Sequence, residues 1–145
     1  MRALLLAIGL LMGAMPAIGG EPPVFSTKAG AIDGYDPVAY FTVGKAVKGL
    51  EDVTYEWNDA EWHFSSAENR EMFRGEPEKF APEFGGYCAY AMTDGTYAAP
   101  KPEVFAIRDG VLYLHYSEAI RKTWLKNVKG FIVGALENWQ LREQS

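Results

Sequence analysis

The chain has 145 residues, with 14 basic side chains against 19 acidic ones and a formal net charge of −5. That length suits one domain with a real core, and the scattered basic residues exclude the clustered footprint that nucleic acid demands. One cysteine excludes a disulfide-stapled mini-domain, and 14% aromatic residues favour an ordered body over disorder.

Met1 to Gly19 reads as a secretory signal. Arg2 gives the positive start, Ala3 to Met15 is apolar and uncharged, and Pro16 precedes the small residues Ala17 and Gly19 that a signal peptidase reads. The run is too short and too weakly flanked for a stable membrane span. The expected location is therefore exported, periplasmic or secreted, with no membrane span left after processing. Residues 20–30 follow as a polar, proline-marked lead-in expected to be flexible. The domain is expected over 31–141, with a tail at 142–145.

Val38-Ala39-Tyr40-Phe41 predicts a short strand. Thr54–Trp57 and Glu61–Phe64 alternate with period two around Asn58-Asp59 and predict a hairpin, with Trp62 and Phe64 on one face and His63 on the other. Ser65 and Glu68 have the spacing of a capping box for the next helix. Gly75 is expected to end that helix as a left-handed cap. Pro77 suits the first position of a short helical turn ending near Phe80, Pro82 stops it, and Gly85-Gly86 predicts a sharp bend.

Cys88 to Met92 can begin a helix ending near Gly95. Val104–Ile107 and Val111–Leu114 flank Asp109-Gly110, a strong two-residue turn signal. Ser117 is expected to cap a helix carrying Ile120, Trp124, Leu125 and Val128. Gly130 is expected to break it before a last helix with Phe131, Ile132, Ala135, Leu136 and Trp139. The expected fold is α+β: a small antiparallel sheet of hairpins covered by several short helices.

Three runs carry a family likeness: Tyr35-Asp36-Pro37-Val38-Ala39-Tyr40-Phe41, the stretch Trp62 to Phe73, and Pro77-Glu78-Lys79-Phe80-Ala81-Pro82. Together they resemble the YHS domain, a small module of metal-handling proteins, and most of all its exported, stand-alone bacterial branch. In that branch the likeness continues through Gly85-Gly86-Tyr87-Cys88-Ala89 and Leu112-Tyr113-Leu114. It spans about Ala31 to Trp139 and implies a single YHS-like domain.

Metal-binding members carry cysteines where this chain has Ala39, Ser65 and Asn69. Alanine cannot bind a metal, and a neutral hydroxyl or amide is a poor ligand for zinc or copper(I). The resemblance therefore implies the fold and not that metal site. Selenoprotein relatives in the stand-alone branch imply redox chemistry somewhere in the group.

The lone thiol of Cys88 is then the chemical question. It is an inert packed residue, a soft-metal ligand or a reactive thiol. Gly85 and Gly86 imply positive φ or close backbone approach before Tyr87 and Cys88. A cysteine in the first turn of a helix meets unpaired amides that lower its pKa. Met92 lies four residues on, which on a helix places both sulfurs on one face. His63, His115 and Met72 are the other soft candidates.

Three readings follow. One is a soft-metal module, copper(I) or similar, through Cys88 with Met92 or a histidine (His63 or His115). Another is a thiol redox protein in which Cys88 cycles through sulfenic acid or a mixed disulfide with an external thiol. The third is a non-catalytic structural or protein-interaction module with Cys88 buried. A single cysteine can also join two chains as a homodimer. Binding is preferred to catalysis, because no acid, base or second thiol adjoins Cys88 in sequence.

Overall fold

The computed structural model describes residues 20–144; the expected export signal at Met1–Gly19 lies outside the described residues. No helix among the described residues is long and apolar enough to cross a membrane.

The chain enters through a two-residue strand pair, β1 (Ser26–Thr27) with β2 (Gly30–Ala31). The lead-in packs on the body: Val24 is buried, and the Phe25 amide donates to the Gly85 carbonyl at 2.9 Å.

Next comes a helical turn, α1 (Ala39–Thr42), where a strand was expected. Asp36 explains the difference. Its Oδ1 accepts the amides of Val38 at 2.8 Å and Ala39 at 3.3 Å. An aspartate capping free amides, followed by proline, starts a helix whatever the β-propensity of Val38 and Tyr40.

The first hairpin forms as expected, with β3 (Leu50–Trp57) and β4 (Ala60–Phe64) joined at Asn58-Asp59. Both turn residues are left-handed (φ 53° and 59°), the conformation that matches strand twist. Trp62 and Phe64 are fully buried on one face, and His63 points to the other, towards Gly30 and Leu50.

Helix α2 (Ala67–Gly75) is capped by Ser66, which accepts the Asn69 amide, and not by Ser65. The capping-box spacing misplaces the cap by one residue because Ser65 is engaged with Asp36. Gly75 is the last helical residue rather than a left-handed cap. Glu76 (φ −144°) ends the helix, because Pro77 disfavours helical geometry before it. Helix α3 (Pro77–Phe80) begins on that proline.

A 3-10 turn over Glu83–Gly86 makes the sharp bend. A Cβ on Gly85 would meet the Pro23 carbonyl oxygen at 2.1 Å, so both close approach and positive φ demand glycine there. Helix α4 (Ala89–Met92) follows. The second hairpin is β5 (Lys101–Arg108) with β6 (Val111–His115) around Asp109-Gly110.

Ser117 caps α5 (Glu118–Leu125) by accepting the Ile120 amide. The break before α6 (Val128–Leu141) falls at Asn127, not Gly130. Asn127 Oδ1 accepts the Gly130 amide at 3.2 Å, and a Cβ on Gly130 would meet that side chain at 2.3 Å. Gly130 thus makes room for the cap inside the first turn. Residues Arg142–Gln144 form one further 3-10 turn.

Among the described residues the result is an α+β domain with three separate two-stranded antiparallel sheets instead of one. The two long hairpins meet through side chains. On β6, Leu112 and Leu114 join a core with Trp62, Phe64, Phe73 and Tyr40. Tyr113, on the opposite face, joins a second core with Phe84, Tyr87, Met92 and Trp124. β6 is thus the shared wall between the two cores.

Candidate functional site

Three places hold the chemistry-bearing residues. The first surrounds Asp36, which is fully buried. Its Oδ2 accepts the Ser65 amide at 2.8 Å, the Ser65 hydroxyl at 2.6 Å and the Asn69 Nδ2 at 2.8 Å. With the two amides on Oδ1, every lone pair of the carboxylate is used. The Ala39 amide, Ser65 and Asn69 therefore surround a closed polar hub. A buried carboxylate held by charge-assisted bonds is a structural joint. It leaves no open coordination position.

The second place is Cys88. Its carbonyl opens α4 by accepting the Met92 amide at 3.1 Å, and its own amide donates to Ala98 at 3.0 Å. The thiol is free of any disulfide and 0% exposed. Burial raises its pKa, opposed by the backbone amides of Ala91, Tyr116 and Tyr90. The expectation of a lowered pKa is overturned in direction. The amides face the sulfur as the helix start requires, but desolvation of the anion outweighs them.

Tyr87 precedes Cys88 in the chain. It is buried, donates its hydroxyl to the Pro22 carbonyl at 3.0 Å, and packs edge-on against Tyr97 at 5.2 Å. Burial pushes its phenol up to about 12. Helix α4 is only four residues long and is tied to α6: Asn138 Nδ2 donates to the carbonyls of Met92 at 3.0 Å and Thr93 at 2.9 Å, at the end of the helix.

The other candidates divide between the two halves. Met92 and His115 lie on the Cys88 side; both are fully buried. His115 packs on Trp124 with ring centres 4.7 Å apart, and neither ring nitrogen meets a hydrogen-bond partner among the described residues. Burial pulls its pKa down to about 4, helped by Arg121 and opposed by Glu118. His63 is elsewhere. Its Nε2 lies 3.0 Å from Glu61 and its Nδ1 3.2 Å from the Leu50 carbonyl oxygen, so both nitrogens are engaged. Met72 is exposed on α2. No group of three or more His, Cys, Asp or Glu side chains among the described residues is placed to hold a metal ion.

The third place was not singled out in the sequence. An open cleft of about 390 Å³ lies where the first hairpin turn, the Glu83–Gly86 turn and the end of α6 meet. Trp57, Trp139, Glu78, Glu83, Arg142 and Glu143 are among its lining residues. Arg142 lies over the Trp139 ring, 3.7 Å from its centre. Burial raises the Glu83 carboxyl above its ordinary range. Nothing in sequence spacing joins residues this far apart.

No family model, no curated protein and no solved structure matches the chain.

Proposed function

We propose that the protein is a non-catalytic structural or protein-interaction module, YHS-like in type, in which Cys88 is an interior packing residue. The observation that carries this reading is the complete burial of the only thiol. A reactive thiol needs accessibility and a depressed pKa. Cys88 has neither, since its pKa is raised. His115 does not compensate. With its pKa drawn down to about 4 it is uncharged at neutral pH, so it supplies no positive charge to hold a thiolate. Cys88 and His115 rest as two neutral groups.

The soft-metal reading loses support from the same geometry. Its ligands would have to be Cys88, Met92 and His115 alone, because His63 is committed to Glu61 and Leu50 on the other half. The side chain of Met92 serves the second core.

Thiol labelling tests the reading. The folded protein at pH 7 is expected to react with an aromatic disulfide reagent more than about a hundredfold slower than the urea-unfolded chain, because reaction must await opening. Labelling of the folded protein at the rate of a free thiol would overturn it.

A further inference from the structure

His115 and Trp124 meet where the end of β6 packs on α5. Both side chains are fully buried, with ring centres 4.7 Å apart and planes tilted by 58°. The Trp124 indole nitrogen and both imidazole nitrogens of His115 are sealed from solvent, and none of the three meets a hydrogen-bond partner among the described residues. Buried nitrogens left this way are costly, and nearly all of them find a partner. Another fully buried indole follows the usual pattern: the Trp62 N–H donates to the Trp57 carbonyl at 3.0 Å.

The chemistry of the three atoms defines what would satisfy them. An indole nitrogen only donates, whereas a neutral imidazole offers one donor and one acceptor. His115 is neutral at pH 7, because burial draws its pKa down to about 4. The charged groups that act on it, Arg121 and Glu118, both belong to α5 and pair with each other at 2.6 Å. An ion is a poor match. An anion would trade its hydration for two neutral N–H groups, and a cation for one lone pair, with no group of three or more His, Cys, Asp or Glu side chains among the described residues to help hold it. The match is a small neutral molecule that accepts from one ring and donates to the other. Water does both, and internal waters take such positions.

We propose that this pair is a binding site for one long-lived water, which accepts from the Trp124 indole N–H and donates to the acceptor nitrogen of His115, so joining α5 to the end of β6. Cys88 is close by, since its sulfur faces the backbone amide of Tyr116, the residue after His115. With the imidazole lone pair taken by water, His115 has no acceptor left for the thiol proton. The site does not depend on whether the domain engages a partner.

Nuclear Overhauser spectroscopy of the ¹⁵N-labelled protein tests it, with solvent water as the probe. The Trp124 indole proton, assigned by its disappearance in Trp124→Phe, is expected to show a direct cross-peak to water with the sign of a bound, slowly exchanging molecule. The Trp62 indole proton, equally buried but bonded to a carbonyl, should show none. His115→Phe removes the acceptor and keeps a ring against Trp124, so the Trp124 cross-peak should be lost. Its retention at full intensity in the folded variant overturns the bridge. Absence of the cross-peak in the unaltered protein overturns the site whether or not the variant folds. So does a nitrogen–nitrogen coupling between the two rings, which would show them bonded directly.

Discussion

Asn69 Nδ2 donates to Asp36 Oδ2 at 2.8 Å, joining α2 to the turn that starts α1 across 33 residues of chain. The same carboxylate receives Ser65 and the first amides of α1, so one buried anion fixes the relation of a strand end and two helices. Removing it strands all of these donors in the interior. Asp36→Ala is expected to cost about 3–5 kcal/mol, as for breaking a buried charged network from one side. Asn69→Ala, which removes one donor, should cost about 1–2 kcal/mol. Urea denaturation measures both; a loss under about 1 kcal/mol for Asp36→Ala would refute the hub.

His115 should make the fold acid-sensitive. Its pKa is about 4 when folded, against an ordinary value of 6.5. The unfolded chain therefore takes up the proton first. The stabilising contribution is complete above the unfolded value and is lost as pH falls from about 6.5 towards 4. Between pH 7 and pH 5 the fold should lose about 2 kcal/mol from this group. His115→Gln should flatten that limb of the stability curve. An unchanged slope in the variant would show that other groups control it.

Copper(I) titration separates a packed sulfur from a ligand. The unaltered protein and Cys88→Ser are expected to bind copper(I) with equal stoichiometry and affinity, because the thiol is walled in and its anion is disfavoured. Loss of one tight equivalent in Cys88→Ser would restore the soft-metal reading.

Two glycines should respond oppositely to alanine. At Gly85 a Cβ would meet the Pro23 carbonyl oxygen at 2.1 Å and a left-handed φ of 63°. Gly85→Ala should destabilise by at least about 2 kcal/mol, since a backbone atom cannot move aside cheaply. At Gly75, the last residue of α2, a Cβ meets nothing within 4 Å. Gly75→Ala should stabilise by about 0.5 kcal/mol through the unfolded state. Thermal melts of the pair compare them directly; destabilisation by Gly75→Ala would contradict its helical, open setting.

The sequence by itself determined the elements whose cause is local. The two hairpins follow from alternation around Asn58-Asp59 and Asp109-Gly110, α5 from Ser117, and the bend from Gly85-Gly86, because turn geometry and capping need only neighbouring residues. Tertiary structure decided what depends on groups far apart in the chain. It converted Val38–Phe41 from strand to helix through Asp36, moved the cap of α2 from Ser65 to Ser66 by drawing Ser65 to the same carboxylate, and parted His63 from Cys88. It also reversed the expected pKa of Cys88. A helix start offers amides to a sulfur from within four residues, whereas desolvation is imposed by every element packed around it, and here the second effect is larger.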